Sequence, residues 1–302
     1  MENRYVINVL GPTAIGKTAL SIKLANAFNT EIISADSRQF YKEMSIGTAA
    51  PSNEELAQAP HHFIQHISIE DDYSVGDFEK EAISTSEALF ENKEVLILVG
   101  GSGLYVKSFT EGLDEFPEVD ADIRAALNLQ LQEEGIAPLK LKLRELDPEY
   151  FAKIDTDNPH RVIRALEICI GTGSTFSSFL NKPKKTRSFK TISIGLTAPR
   201  EIIYNRINRR VDIMMDEGLL DEAQSLYQKR KLNALNTVGY KELFAFFEGR
   251  MDLEAAVEEI KKNTRRFAKR QLTWFRKDET IKWFEHETPA EEIIAYLRFN
   301  ME

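Results

Sequence analysis

Residues 5–20 read YVINVLGPTAIGKTAL. The apolar, β-branched run Tyr5–Leu10 meets Gly11, the spacing Gly11-x-x-x-x-Gly16-Lys17-Thr18 follows, and a helical pattern opens at Ala19. Strand, glycine-bearing loop and helix in that order are the context of a phosphate-binding loop. The two glycines let the backbone curl so that successive N–H groups point into one anion-sized hollow. The helix behind them adds the partial positive charge of its N-terminus. Gly11, Pro12, Thr13, Ala14, Ile15, Gly16, Lys17 and Thr18 are therefore expected to cradle a diphosphate-containing ligand. Lys17 would reach the outer phosphate, and the Thr18 hydroxyl would be offered to a magnesium ion.

Around this loop, short apolar runs at Tyr5–Leu10, Glu31–Ala35, Glu94–Val99 and Thr191–Leu196 read as buried parallel strands. Helical patterns separate them, which predicts an α/β fold: a P-loop NTPase-like core whose parallel sheet is flanked by helices. From about Asp114 to Arg187 helix signals occur without a convincing strand. Asp120 can cap a helix ending near Gly135, Pro138 can open another, and Asn158-Pro159 suits the start of Pro159–Gly171. The expected organisation is thus a catalytic core of 1–113 and 188–302 with an all-helical insertion at 114–187. The stretch Asn181–Lys190, NKPKKTRSFK, reads as a basic linker back to the sheet. Helices are also expected from Pro199 to Glu217 and from Asp252 to Lys277, the latter with Leu253, Val257, Ile260, Phe267 and Phe275 on one face.

Bulk properties narrow the setting. A chain of 302 residues suits one large domain or two smaller ones. Its net charge of −9 gives no global positive field, so a nucleic-acid partner would need local basic patches. Cys169 is the only cysteine, which excludes a disulfide framework and a cysteine-based zinc site. MENRYVINVL shows no cleavable signal pattern, and no apolar run approaches a membrane span. A cytoplasmic setting with no membrane partner is expected, and no obligate protein partner is evident.

Several residues carry chemistry. Asp36 falls just past the end of the second strand, on the rim where open α/β sheets bind ligands. A carboxylate there suits magnesium ligation or proton abstraction, or simply starts a turn. After Val95–Val99, where many P-loop NTPases place a magnesium-binding Asp, the chain has Gly100-Gly101 instead. The missing acid speaks against nucleotide hydrolysis. Two glycines suit either a ligand passing close to the backbone or a tight strand–helix turn. Arg206 and Arg210 edge the apolar stripe Ile203, Ile207, Val211 and Met214, with Arg209 further round. Residues 263–277, NTRRFAKRQLTWFRK, hold six basic and no acidic residues, a local phosphate-facing surface or a solvated face. His61-His62 lacks a third ligand and reads as structural or as flanking the site.

Together, GPTAIGKT, ISADSRQFYKEMSIGTAAP, GGSGLYVKS, DNPHRVIRALEI and TVGYKEL resemble the tRNA dimethylallyltransferase family, over about Tyr5 to Lys277. The resemblance implies transfer of a prenyl group from dimethylallyl diphosphate to N6 of the adenosine 3′ of the anticodon, with magnesium as cofactor and the anticodon stem-loop of tRNA as partner. It implies Asp36 as the general base, Thr18 as the magnesium ligand, and an essential arginine in the 199–217 helix, for which Arg206 comes first. Ser37, Arg38 and Gln39 would fix the flipped adenine. Ser102 stands where Thr is commoner in the family, and the hydroxyl is kept. Arg124 and the segment His160, Arg161, Val162, Ile163 and Arg164 match tRNA-contacting positions. The family's zinc-finger extension has no counterpart before Glu302, which points to the bacterial type. A P-loop small-molecule kinase, a prenyltransferase acting on free adenine nucleotides, and an RNA-binding module with a vestigial P-loop are the alternatives. The helical insertion with its basic residues, and the intact Lys17, Thr18 and Asp36, weigh against them.

Overall fold

The computed structural model describes residues 4–180 and 185–301. The strands are β1 (Tyr5–Leu10), β2 (Ile32–Ser34), β3 (His61–His62), β4 (Val95–Val99), β5 (Lys190–Thr197) and β6 (Lys282–Glu285). They form one parallel sheet in the order β3-β2-β4-β1-β5-β6. β1 lies at the centre, with Ile7 opposite Ile97 of β4 and Ile192 of β5. All six of its residues are buried, which is why it reads as an unbroken apolar run rather than an alternating one. The four expected strands are present. β3 and β6 were not legible, because one has only two residues and the other, KWFE, is an edge strand without an apolar run.

The helices are α1 (Lys17–Ala27), α2 (Asn53–Leu56), α3 (Val75–Leu89), α4 (Gly103–Glu111), α5 (Ala121–Glu134), α6 (Ile136–Leu146), α7 (Pro148–Phe151), α8 (Pro159–Thr172), α9 (Arg200–Asp216), α10 (Leu219–Leu226), α11 (Tyr240–Phe247), α12 (Leu253–Phe275) and α13 (Ala290–Phe299). Successive β1 side chains point to opposite faces. Ile7 and Val9 join Leu20 and Leu24 of α1, Ile203 and Ile207 of α9 and Ile293 of α13. Val6 and Leu10 join Phe78 of α3 and Val106 and Phe109 of α4. A separate helical core gathers Leu219, Leu226, Tyr240, Leu243 and Ile260 from α10 to α12.

The chain divides into two compact units, one of Met1–Glu111 with Arg187–Glu302 and one of Gly112–Thr186. The described residues of the second hold helices and no strand, with α5, α6 and α8 closing on Leu127, Leu139, Leu143, Val162 and Leu166. Asp120 and Asn158 cap α5 and α8 through their side chains. Pro138 does not open α6, which starts at Ile136. In the first turn its missing N–H costs nothing, since that donor has no intrahelical partner in any case.

The expected basic linker is also corrected. Asn181–Lys184 lie outside the described residues, and Arg187 is turned inward. Its guanidinium donates to Glu79 Oε1 at 3.0 Å and to the Ser108 carbonyl at 2.6 Å. Lys190 belongs to β5, with its amine over the Tyr5 ring.

Gly100, at the end of β4, is fixed by packing. A Cβ there would lie 2.6 Å from the Ala35 carbonyl oxygen. Gly100→Ala is expected to destabilise the protein by about 1–3 kcal/mol through overpacking, read as a lower urea midpoint at an unchanged slope.

Candidate active site

The loops after β1, β2 and β4 emerge on the carboxyl rim of the sheet. In the P-loop, Gly11, Ala14 and Gly16 take φ of 141°, 64° and 110°. Gly11 has no alternative, because a Cβ there would sit 2.7 Å from the Leu196 carbonyl oxygen. Gly16 directly precedes α1, so the helix N-terminus opens into the loop. Lys17 Nζ donates to the Pro12 carbonyl at 2.8 Å. Part of its side chain faces the cavity, yet burial of the amine pushes its pKa down to about 8, against the opposing pull of Asp36.

Two arginines of α9 reach this loop. Arg206 Nε donates to the Ala14 carbonyl at 2.7 Å, and Arg210 Nη1 approaches Thr13 Oγ1 at 3.4 Å. Arg209 is exposed. Burial, then the like charge of Arg206, lowers the Arg210 pKa. Arg210, not Arg206, lines the cavities described below.

The Asp36 turn is braced by its own backbone and by neighbours. Asp36 Oδ1 accepts the Arg38 N–H at 3.2 Å. The Ser102 hydroxyl accepts the Ser37 N–H and lies 3.2 Å from the Ser37 hydroxyl. Arg38 Nη1 donates to the Ala234 carbonyl at 2.9 Å, and Gln39 Nε2 to that of Ala49 at 2.9 Å. The Ser102 hydroxyl thus braces the Asp36 turn.

Gly100 and Gly101 face protein at close range: a Cβ on Gly101 would collide with the Gln271 carboxamide. Gly100 also borders the P-loop cavity and Gly101 the second cavity, so close packing and a ligand near the backbone both fit these glycines. Gln271, only 5% exposed, accepts the Thr13 N–H at 2.8 Å and donates to the Gly101 carbonyl at 3.0 Å. It ties the loop after β1 to the loop after β4.

Two cavities open on this rim. One, of about 790 Å³, is floored by Thr13–Thr18. The other, of about 730 Å³, is bounded by Ser37, Ser102, Tyr105, Phe267 and Trp274. Thr13, Asp36, Thr48, Ala49, Arg210 and Met214 border both. Thr18 and Asp36 offer hard oxygen donors to the P-loop cavity, and the described residues contain no cluster of three or more His, Cys, Asp or Glu that could hold a metal. This donor set fits magnesium, which takes few protein ligands and completes its shell with phosphate oxygens and water.

Phe267, expected among the core positions of α12, is 37% exposed and lines the second cavity. The helix runs from the α10–α12 core at Ile260 across the cavity mouth to the sheet core at Ala268 and Phe275, so its middle turns face open space. Phe267, Gln271 and Trp274 are site residues that sequence reasoning missed. A polar Gln inside an otherwise apolar stripe was the available signal. His62 pairs with Glu31 at 2.7 Å, while His61 bonds the Ala59 carbonyl and flanks the P-loop cavity.

In the helical unit, Arg124 and Arg164 converge on Glu167 Oε2 at 3.2 and 2.9 Å, and Arg164 lies over the Phe116 ring. His160 and Arg161 are exposed. Val162 and Ile163 correct the expectation of side-chain contacts to RNA: they are 0% and 3% exposed and pack into this unit's core, holding the helix that carries His160, Arg161 and Arg164.

The IPP transferase family matches residues 39–278. The chain belongs to this family. It is 64% identical over 295 residues to a tRNA dimethylallyltransferase of Christiangramia forsetii, covering 98% of each chain. It is 57% identical over 304 residues to that of Flavobacterium johnsoniae, covering 99% of this chain and 98% of the relative. Among solved structures, the tRNA isopentenylpyrophosphate transferase of Bacillus halodurans aligns with a TM-score of 0.74 at 38% identity, over 99% of this chain and 97% of that one. A eukaryotic dimethylallyltransferase acting on tRNA aligns with a TM-score of 0.86 at 26% identity, over 99% of this chain and 80% of that one. This IPP transferase family member is accordingly a transferase with the family's P-loop fold. No helix among its described residues is long and apolar enough to cross a membrane.

Lys17 generates a pH prediction. Its pKa of about 8 in the folded chain lies below the ordinary 10.5. Below pH 8 the buried charge is a cost to folding, and that cost is relieved as pH rises from about 8 to 10.5. An anion at the loop should restore the proton. Inorganic pyrophosphate binding is expected to take up protons and to weaken as pH rises through about 8. Calorimetry in buffers of different ionisation enthalpy checks this, and Lys17→Met should remove the uptake.

Proposed function

We propose that this chain transfers the dimethylallyl group of dimethylallyl diphosphate to N6 of the adenosine immediately 3′ of the anticodon in tRNA, releasing pyrophosphate. The observation that carries this reading is the meeting of two cavities at Asp36, Thr13 and Arg210, one floored by the P-loop and one walled by aromatic and hydroxyl side chains. Transfer to a base needs such a pair of chambers, because donor and acceptor must approach one point from different sides. The names of the bacterial relatives and of the tRNA-acting eukaryotic neighbour support the same substrates.

The diphosphate sits against the P-loop amides and Lys17, with Arg210, which lines both cavities, placed to offset charge that grows on the leaving oxygens, while Arg206 holds the loop through the Ala14 carbonyl. Magnesium held at Thr18 would add to that neutralisation. The adenine, taken out of its stack, enters between Tyr105, Phe267 and Trp274. As the carbon–oxygen bond of the donor breaks and the N6–carbon bond forms, Asp36 accepts the amine proton, and pyrophosphate departs with the bonding pair. The exposed His160 and Arg161, with Arg164 and Arg124 oriented by Glu167, serve the RNA backbone. The reaction belongs in the cytoplasm, where tRNA is found.

The reading is tested by offering an anticodon stem-loop and free AMP side by side with labelled dimethylallyl diphosphate. The stem-loop should be preferred by orders of magnitude in kcat/KM. Equal use of AMP would replace tRNA by a free nucleotide as acceptor. Asp36→Asn is expected to keep stem-loop affinity and to lower the single-turnover rate by about 10²-fold or more. Arg161→Ala should weaken stem-loop binding and lower its salt dependence by about one phosphate contact. A filter-binding series across salt concentrations reads that slope.

A further inference from the structure

The wall shared by the two cavities is the turn Ser45–Ala50, and a carboxylate from a distant helix holds it. Glu222 of α10 accepts three successive backbone N–H groups: Ser45 at 2.9 Å and Ile46 at 2.8 Å on Oε2, and Gly47 at 2.9 Å on Oε1. The Tyr240 hydroxyl donates to the same Oε1 at 2.7 Å. Tyr240 is fully buried, and burial beside this carboxylate pushes its phenol far above the ordinary value, so the hydroxyl remains a donor. Its ring closes the back of the turn, since a Cβ on Gly47 would lie 2.6 Å from the Tyr240 ring. Three amides converging on one anion form the kind of nest that elsewhere binds a phosphate. Here the protein's own carboxylate fills it.

The residues that Glu222 grips are not core residues. Ser45 and Ile46 line the P-loop cavity, Gly47 lines the other, and Thr48 and Ala49 border both beside Asp36. Ala49 is held at a φ of 49°, a conformation that a residue with a Cβ adopts only when its surroundings impose it. In that conformation its carbonyl accepts Gln39 Nε2 at 2.9 Å, and the Gln39 N–H in turn bonds the Asp36 carbonyl at 3.0 Å. Glu222 is therefore linked to the Asp36 backbone by hydrogen bonds to the turn, the backbone of the turn itself, and the two hydrogen bonds of Gln39. We infer that Glu222, completed by the Tyr240 hydroxyl, is a positioning residue for group transfer: it sets the wall between the donor and acceptor chambers and, through Gln39, the placement of Asp36. The inference rests on the functional reading above.

Glu222→Gln tests it with little change of volume. A carboxamide has one acceptor oxygen, so its NH₂ must face at least one of the converging N–H groups, and the turn must shift. Small displacements of this kind act on the rate more than on binding. The purified full-length variant is expected to keep its thermal midpoint within a few degrees and its stem-loop affinity and KM for dimethylallyl diphosphate within about threefold. Its single-turnover rate should fall by about tenfold or more. Tyr240→Phe keeps the ring on Gly47 and removes one donor, and should show the same pattern with a smaller loss. It also serves if Glu222→Gln fails to fold. Combined with Gln39→Ala, either variant should lose less than the product of the single effects, because both act on the same turn. Unchanged rates in a folded variant, losses that track the unfolded fraction, or strictly multiplicative effects would each overturn the inference while the wild type still transfers. A wild type that transfers nothing to any acceptor overturns the functional reading and the inference with it.

Discussion

The placement of β4 between β1 and β2 is the constraint on which the site depends. Neighbouring strands lie about 4.8 Å apart, so the P-loop and the Asp36 turn leave the sheet about 10 Å from each other. That is the span of a small diphosphate ester and a reacting amine in line. The strand in between runs into Gly100-Gly101, where a Cβ would strike the Ala35 carbonyl or the Gln271 carboxamide. The gap is bridged from above by a single carboxamide, Gln271, whose two hydrogen bonds join the first and third of these loops. Substituting a carboxylate there would lose the donor that Gly101 uses. A hydrophobe would take away the acceptor of the half-buried Thr13 N–H.

α12 and α9 complete the arrangement from outside the sheet. α9 packs Ile203 and Ile207 under the sheet, which aims Arg206 and Arg210 at the back of the P-loop. α12 begins in the small helical core and ends against the sheet. Only a long helix can do both, and the turns between its two anchors are the ones left to face ligands. Arg206, Arg210 and Gln271 thus sit on helices, while Thr13, Asp36, Ser37 and Ser102 sit on the loops of the sheet rim.

Much of this was legible in the sequence for one reason: the informative residues are neighbours in the chain. Tyr5–Leu10, the glycines after it and Lys17-Thr18 form a contiguous strand, loop and helix. Asp36 sits at a strand end that its own apolar run announces. What escaped reading depends on packing across long separations. Helical periodicity groups Phe267 with Ile260, but it cannot tell a stripe that faces a core from one that crosses an open cleft. The same limit hid the inward turn of Arg187 toward Glu79 and the burial of Val162 and Ile163 inside a segment matched for its charges. Glu222 is the extreme case, since its partners are backbone amides some 175 residues away, and amides have no letter in a sequence.

The two ends of the helical unit return to nearly the same place. Arg187, where the chain re-enters the core, bonds the carbonyl of Ser108 in α4, and a Cβ on Gly112 would touch the Lys185 side chain. This bears on how the chain finds its fold. The central pairing of β1 with β5 joins Tyr5 to Lys190, a contact of high sequence separation whose closure is entropically slow. A helical segment built on local contacts that folds early would draw Glu111 and Arg187 together and shorten the effective loop that β5 must close. The insertion would then act as a kinetic splice for the sheet during synthesis, before any substrate is met.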